Sequence, residues 1–281
     1  MTDSRMTRDR GPDGRIAGFD HAAPALCFIG GWGSTHEVWC GTLDCEALDR
    51  EALDRRVVDG ETLDRVPARF EAKFLNWLEC VRDWPSALAS ICSLPGRCVL
   101  VGWSLGSLLA LRAVLDIEEK LPEKIAAMVL VSATPRMCAA EDYAGVDPRM
   151  LAAMRARIEK SPAAVLEDFA AQCAAPDGGD LTRASWLRQA DRFSADEMAA
   201  GLDCLSSLDV RERLHEIGLP CRILHGDGDR IVPLGSAQFL AQHIASAELE
   251  VLPGRGHALP FTAPAEIARC VASVIGASVS R

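Results

Sequence analysis

Residues 99–107 read VLVGWSLGS, and this stretch carries the strongest indication of the fold. Its first half is an apolar run typical of a buried strand, and residues 105–115 then place apolar side chains at helical spacing. Between them Gly102, Ser104 and Gly106 form the pattern G-x-S-x-G. A serine at a sharp turn between strand and helix needs neighbours without a Cβ, which would collide with the backbone. The stretch therefore predicts a strand, a tight turn that exposes the Ser104 hydroxyl, and a helix.

Apolar runs elsewhere in the chain repeat this alternation. Strands are predicted for the runs at 25–31, 97–103, 125–133, 221–226 and 249–254. Helical spacing is found at 70–91, 105–115, 234–245 and 263–276. Apolar strands that alternate with helices form a parallel sheet covered on both faces. Because the serine turn follows one of these strands, the chain is predicted to adopt an α/β-hydrolase fold with a mostly parallel central sheet.

Two segments fall outside this alternation. Residues 134–208 are helical in pattern and contain no convincing strand, so we expect a helical cap inserted into a core of residues 22–133 and 209–281. Residues 1–21 are polar, rich in Arg and Asp, and without periodicity. This composition indicates a disordered leader.

A third segment, residues 41–66, is unusually charged. Residues 43–64 read LDCEALDREALDRRVVDGETLD, in which an L-D-x-E-A-L-D-R phrase recurs. A repeat fold needs three or more units, so the recurrence favours one charged surface helix followed by a short strand near Arg56 to Val58.

Composition limits the classes of function. The 281 residues are 49% hydrophobic, enough to bury one sizeable core, and the net charge of -10 disfavours nucleic-acid binding. No apolar stretch reaches the roughly 20 residues of a membrane helix, and the start is too polar for a secretory signal, so a cytoplasmic protein is expected. The eleven cysteines include no C-x-x-C pair. We therefore expect reduced thiols, no metal and no other cofactor.

A serine hydroxyl becomes a useful nucleophile only when a base takes its proton. In this fold the base is a histidine that follows the serine and the acid along the chain. His21 and His36 precede the serine, and His215, His225 and His243 lie in predicted helices or strands. His257 is left, in a glycine-rich loop between the last strand and the last helix, where a surface-loop role is the alternative.

The acid is expected in the loop after the strand at 221–226, where ILHGDGDRIVP offers Asp227 and Asp229. Asp229 is preferred because D-R-I-V-P resembles the segment in which this fold places its acid. Asp227, between two glycines, is more typical of a turn-stabilising side chain. A solvated turn carboxylate is the alternative for Asp229.

The oxyanion of a tetrahedral intermediate needs two N–H donors, one after the nucleophile and one from the first loop after a strand. These positions correspond to the backbones of Leu105 and Trp32. The side chains of Trp32 and Trp103 are candidates for the substrate pocket; ordinary packing is the alternative for both, and the two roles are compatible.

Several segments resemble the carboxylesterases that demethylate pimeloyl-acyl-carrier-protein methyl ester in biotin synthesis. The matching segments are GWGSTHEVW at 31–39, GWSLGS at 102–107, DGDRIVP at 227–233 and GRGHALPF at 254–261. The similarity covers most of the chain from about residue 24. Two features depart from the family pattern. Gly30 replaces the histidine before G-W-G, and the segment 41–66 replaces a D-x-P-G-x-G-x-S loop, which alters one rim of the pocket.

The resemblance implies that basic residues of the cap hold an acidic carrier protein. The candidates are Arg149, Arg155, Arg157 and Lys160, for which the sequence nearby offers only Glu159 as a partner, with Arg183, Arg188 and Arg192 next. A helix of this composition is also consistent with an ordinary solvated face.

The function predicted from these residues is hydrolysis of an acyl ester through an acyl-enzyme on Ser104. The resemblance makes the methyl ester of pimeloyl-acyl-carrier protein the expected substrate. Two alternatives stay open. One is another reaction of the same fold, by a general esterase, lactonase, C–C hydrolase or acyltransferase. The other is a non-catalytic binding protein, whose sign would be the loss of a catalytic group.

Overall fold

The strands follow the apolar runs of the sequence. The computed structural model describes residues 24–44, 56–58, 61–63, 71–117 and 124–279. The strands in this part are β1 (Ala25–Ile29), β2 (Arg56–Val58), β3 (Glu61–Leu63), β4 (Ala72–Leu75), β5 (Cys98–Trp103), β6 (Ile125–Val131), β7 (Cys221–Gly226) and β8 (Ala247–Leu252). The predicted leader, residues 1–21, lies outside the described residues.

Six of these strands form one sheet in the order β4-β1-β5-β6-β7-β8. Every pairing in this sheet is parallel. Each residue of β5 and β6 is buried, which explains why both strands are continuous apolar runs without alternation. The predicted α/β architecture is confirmed. In a parallel sheet all carboxyl ends meet at one edge, so the loops after β5, β7 and β8 lie together.

Helices surround the sheet. They are α1 (Cys40–Leu43), α2 (Trp77–Arg82), α3 (Trp84–Cys92), α4 (Leu105–Asp116), α5 (Pro148–Ile158), α6 (Pro162–Ala174), α7 (Gly179–Ala190), α8 (Ala195–Ser207), α9 (Leu234–His243), α10 (Leu259–Thr262) and α11 (Pro264–Val279). Helices α4 and α11 pack against the central strands β5 and β6. The predicted helices at 105–115, 234–245 and 263–276 match α4, α9 and α11.

The prediction of one amphipathic helix over 70–91 is wrong at its start. Strand β4 pairs with β1, and two short helices, α2 and α3, follow it. Asn76 caps α2 by accepting from the Leu78 N–H at 2.9 Å, and Asp83 caps α3, which has Pro85 in its first turn. Asn76, Asp83 and Pro85 mark the starts of two separate helices. The prediction of a single helix used hydrophobic spacing alone and did not weigh these signals.

Strand boundaries differ from prediction where turns intervene. Strand β8 ends two residues early, before Pro253 and Gly254, whose φ of 72° belongs to a turn. Strand β6 ends at Val131, because Ser132 has a φ of 47°.

The charged segment 41–66 is described only in part. The short strand predicted near Arg56 to Val58 is present as β2, and it pairs antiparallel with β3. The predicted surface helix falls mainly on residues 45–55, outside the described residues.

The interval between β6 and β7 contains helices α5 to α8, and we call residues 148–207 the cap. Isolated bridges, such as Arg136 with Asp209, join the segments that lead into and out of it. The start of α8 shows the local signal clearly, since Ser194 and Glu197 form a reciprocal capping box. The division into a core of 22–133 and 209–281 and an inserted domain of 134–208 stays a prediction.

Candidate active site

Ser104 lies at the sharp turn between β5 and α4, with a φ of 56° and a ψ of -118°. Non-glycine residues rarely adopt a positive φ, so the surrounding structure must hold this turn. The flanking glycines allow it. A Cβ on Gly102 would lie 2.5 Å from the Gly106 carbonyl oxygen, and one on Gly106 would lie 2.1 Å from that of Ile29. The predicted reason for G-x-S-x-G is therefore visible in the backbone packing.

Three side chains from three loops meet at the carboxyl edge of the sheet. The Ser104 Oγ lies 3.0 Å from Nε2 of His257. The other ring nitrogen, Nδ1, lies 2.8 Å from Oδ2 of Asp229. An ionised carboxylate only accepts hydrogen bonds, so Nδ1 carries the proton and leaves Nε2 free to accept from the serine. These contacts match the geometry that a nucleophile, a base and an orienting acid require.

The two carboxylates of the loop after β7 have different partners. Asp229 has no exposed side-chain area, and its Oδ1 accepts from the backbone N–H groups of Ile231 and Val232 at 2.8 and 2.9 Å. Asp227 instead accepts from the Gly254 N–H at 2.7 Å, which is the turn-stabilising geometry expected for it. Only Asp229 contacts His257.

The environment of Asp229 keeps its carboxylate ionised. Burial by itself raises the pKa of this group, but the charge and hydrogen bond of His257, together with His225 and the Val232 amide, outweigh burial and hold the pKa below its usual range. A carboxylate that stays negative can stabilise an imidazolium on His257.

A second buried histidine, His225, lies next to Asp229, although its position in the predicted strand gave no sign of this contact. Its Nε2 lies 3.0 Å from the Val232 carbonyl oxygen and 3.5 Å from Oδ2 of Asp229. A carbonyl oxygen can only accept, so this nitrogen carries the proton. Burial lowers the pKa of His225, which favours the neutral ring.

The two predicted oxyanion donors come from two separate parts of the chain. Leu105 is the first residue of α4, where backbone N–H groups lack a helical acceptor. Trp32 lies in the loop after β1 and lines the same cavity as Ser104. Within the described residues, neither backbone N–H donates a hydrogen bond. Both amides are therefore available to a ligand.

The cap holds the loop that carries Trp32. The Trp32 indole Nε1 donates to the Met198 carbonyl oxygen at 2.8 Å, and the Thr35 N–H donates to Oε1 of Gln189 at 2.9 Å. Met198 and Gln189 are both buried and lie more than 150 positions further along the chain. No local pattern could have indicated these contacts.

Trp32 and Trp103 have different surroundings. Trp32 lines the cavity, as expected for a substrate-binding side chain. Trp103 is not among the residues that line it, and its Nε1 donates to the His257 carbonyl oxygen at 2.9 Å. The expectation that Trp103 contacts substrate is therefore not supported, and its ring lies beside the histidine ring instead, with centroids 5.6 Å apart.

The cavity beside Ser104 has a volume of about 580 Å³ and lies between the core and the cap. Its wall is mainly apolar and includes Trp32, Met137, Met154, Val165, Phe169 and Leu205. Charged groups are Arg157, Asp168 and Arg230. A second cavity of about 570 Å³ lies beside Thr35, Asn76 and Arg192 and contains none of the three catalytic candidates. The first cavity is therefore the candidate substrate site, and its size and apolar wall suit an acyl chain.

Most of the predicted basic residues of the cap pair with carboxylates. Arg155 contacts Glu159 at 2.5 Å and Asp203 at 2.9 Å, and Arg157 contacts Asp168 at 3.0 Å. The expectation that only Glu159 faces this group is wrong, because the other partners come from α6 and α8. Arg183 and Arg192 are likewise paired, with Glu167 and Glu37.

Four cations at or near the cap have no carboxylate within 4.0 Å among the residues that the structure describes. They are Arg149, Lys160, Arg188 and Arg230. Arg149, whose backbone N–H is bonded to Asp147, keeps a guanidinium available to an acidic ligand.

Over the described ranges no group of three or more His, Cys, Asp or Glu side chains could hold a metal ion. The same part of the chain contains no helix with the length and apolar character that a membrane span requires.

Solved structures share this architecture. An esterase from Exiguobacterium antarcticum superposes with a TM-score of 0.70 at 18% identity, over 90% of this chain and 93% of that chain. A bromoperoxidase from Bacillus anthracis also gives a TM-score of 0.70, at 20% identity, over 90% and 92% of the two chains. At these identities the likeness shows the fold alone.

Relatives share the sequence over much of its length. The pimeloyl-acyl-carrier-protein methyl ester esterase of Aromatoleum aromaticum is 29% identical over 263 residues, 90% of this chain and 98% of the relative. The esterase of the same name from Nitrosomonas europaea is 29% identical over 182 residues, 63% of this chain and 71% of the relative. These relatives confirm the resemblance seen in the sequence. A model of the alpha/beta hydrolase family matches residues 28–270, and the chain therefore belongs to that family.

Proposed function

We propose that the chain is a serine carboxylesterase with Ser104 as its nucleophile. The observation that carries the proposal is the 3.0 Å contact between Ser104 Oγ and Nε2 of His257, whose Nδ1 is held by Asp229. His257 takes the serine proton as Oγ attacks the ester carbonyl. The N–H groups of Trp32 and Leu105 stabilise the oxyanion that forms.

The rest of the reaction uses the same groups. The tetrahedral intermediate breaks its bond to the alcohol oxygen, and His257 gives that oxygen its proton, which leaves an acyl-enzyme on Ser104. Water then loses a proton to His257 and attacks the acyl carbon. The bond between that carbon and Ser104 Oγ breaks, His257 returns the proton to Oγ, and the acid leaves. The lowered pKa of Asp229 keeps a negative charge beside the imidazolium through both halves.

The proposed substrate is the methyl ester of pimeloyl-acyl-carrier protein, as part of biotin biosynthesis. Relatives with that activity in their names, similar over as much as 90% of this chain, support it. The apolar cavity of about 580 Å³ beside Ser104 is consistent with a flexible acyl chain. A general esterase for small esters is the alternative, since this fold supports many substrates.

The carrier protein would dock on the cap. Because Arg155 and Arg157 already pair with Asp203 and Asp168, they contribute less net positive charge than the sequence suggested. Arg149 and Lys160 are the cations of this group without a carboxylate partner in the described structure. We therefore assign them the larger part of the attraction.

Relative rates on two kinds of substrate test the assignment. p-Nitrophenyl esters of graded chain length are compared with the methyl ester of pimeloyl-carrier protein, using wild type and Ser104→Ala. A dedicated enzyme gives a kcat/KM for the carrier substrate at least about 10-fold above that for any small ester, since remote contacts add binding energy. A larger value for short esters favours the general esterase. If wild type hydrolyses neither substrate, the esterase proposal fails.

A further inference from the structure

Asp177 lies in the cap, in the turn between α6 and α7, and its carboxylate contacts the loop that carries His257. Oδ1 accepts from the Gly256 N–H at 2.8 Å, and Oδ2 lies 3.2 Å from Nη1 of Arg255. Only 15% of the Asp177 side chain is exposed. A carboxylate of the cap therefore holds the peptide group between Arg255 and Gly256, close before the histidine.

The loop is also tightly packed at this point. A Cβ on Gly256 would lie 2.0 Å from the Ala175 carbonyl oxygen of the cap. On the opposite side, a Cβ on Gly226 at the end of β7 would lie 2.2 Å from the Arg255 carbonyl oxygen. The backbone before His257 is thus enclosed between the sheet and the cap turn, with room for glycine only.

The other side of His257 is fixed by the core. Its carbonyl oxygen accepts from Nε1 of Trp103 at 2.9 Å and from Oγ of Ser132 at 3.1 Å. The core thus holds the peptide after the histidine, and the cap holds the peptide between Arg255 and Gly256. Asp177 supplies the hydrogen bond on the cap side.

We propose that Asp177 is a positioning residue for His257, acting through the Gly256 N–H. The inference rests on the proposed function, because it requires His257 to be the base. The 3.0 Å distance between Nε2 and Ser104 Oγ depends on where the loop places the ring, and misplacement by about 1 Å can cost roughly 100-fold in rate. Asp177 does not line the cavity, so its loss should lower kcat and leave KM nearly unchanged.

The test compares two substitutions at this position, with p-nitrophenyl acetate as substrate. Asp177→Ala removes the acceptor, whereas Asp177→Asn keeps an oxygen that can accept from Gly256 and removes only the charge. A fluorophosphonate titrates Ser104, so kcat is counted per folded site. We expect Asp177→Ala to lower kcat roughly 10- to 100-fold, with Asp177→Asn within about threefold of wild type and KM within about threefold in both.

Glu167→Ala is the matched control. It removes a cap carboxylate that pairs with Arg183 and does not contact the histidine loop, and its kcat should stay within about twofold of wild type. Equal kcat losses in the Ala and Asn variants would overturn the inference, as would an Ala variant with wild-type kcat or a change confined to KM.

Hydrogen exchange of the wild-type enzyme tests the contact even if Asp177→Ala does not fold. The Gly256 amide should exchange as slowly as amides of β7, and exchange as fast as an open loop would overturn the inference. The proposed function fails separately, when wild type hydrolyses no ester. An active wild type with an unaffected Asp177→Ala variant contradicts the positioning role alone.

Discussion

The turn at Ser104 and the cap differ in the distance over which their contacts are made. At the turn, Gly102 and Gly106 are two residues from the serine, and a Cβ on Gly102 would clash with the backbone of Gly106 itself, although one on Gly106 would clash with Ile29 of β1. In the cap, Arg155 forms an ion pair with Asp203, which lies 48 residues further along the chain. Backbone geometry set by neighbours is therefore readable from a short stretch, whereas charge pairing between helices is not.

The difference also separates chemistry from recognition. The groups proposed to react lie in the loops that follow β5, β7 and β8 of the parallel sheet. The groups proposed to recognise a carrier protein lie on cap helices, where partly exposed ion pairs reduce their net charge. Substitutions in the two regions should therefore have unequal effects.

The largest effect is expected at the nucleophile. Ser104→Ala should lower kcat by at least about 10⁴-fold, because no other hydroxyl replaces the one held 3.0 Å from His257. The melting temperature should change little, since the flanking glycines set the turn. Near wild-type esterase activity in this variant would place the nucleophile elsewhere.

The acid should come next. Asp229→Asn should cost roughly 10⁴-fold in kcat, because an amide cannot hold the histidine tautomer or stabilise its charge. Asp227→Asn, whose oxygen can still accept from Gly254, should cost less than about 10-fold. Both are measured with p-nitrophenyl acetate. Equal losses, or the reverse order, would contradict the assignment.

The cavity gives an intermediate effect. Met154→Trp should fill part of the acyl site and lower kcat/KM for a long p-nitrophenyl ester by about 10- to 100-fold more than for the acetate. Leu181→Trp is the control, since Leu181 is 87% exposed and does not line the cavity. If Met154→Trp slows all chain lengths equally, the acyl chain does not occupy this space.

The smallest effect is expected on the cap. Arg149→Glu should raise KM for the carrier-bound ester several-fold at low salt, with the difference shrinking as salt screens charges over ~10 Å. Hydrolysis of p-nitrophenyl acetate should not change. Arg97→Glu is the control, because it makes the same charge change just before the amino-terminal end of β5, at the end opposite to Ser104. An equal rise in KM for both variants would mean that net charge, and not a cap surface, controls binding.

Sequence reasoning succeeded where the physical cause was local. The strand, turn and helix around Ser104 follow from apolar runs and glycines within one short segment. The same reasoning wrongly placed β4 in one helix with α2 and α3, because it gave hydrophobic spacing more weight than the helix-start signal of Asn76.

Contacts between residues far apart in the chain could not be predicted from the sequence. Asp177 and Gly256 are separated by 79 positions, and nothing in either segment indicates their hydrogen bond. The contact between Trp103 and His257 likewise depends on the loop after β8 lying close to the end of β5. A tryptophan beside the nucleophile suggested a wall of the substrate pocket, but the hydrogen bond from the Trp103 indole to His257 holds the ring outside the cavity lining.

Identification of the acylated residue tests the central claim most directly. The enzyme is mixed with a slowly deacylating p-nitrophenyl ester, quenched in acid, and digested for mass spectrometry. We predict one acyl group per active enzyme, on the peptide that contains Ser104, and none on Ser104→Ala. An acyl group on another residue, such as one of the eleven cysteines, or turnover by wild type without any acylated Ser104, would contradict the account.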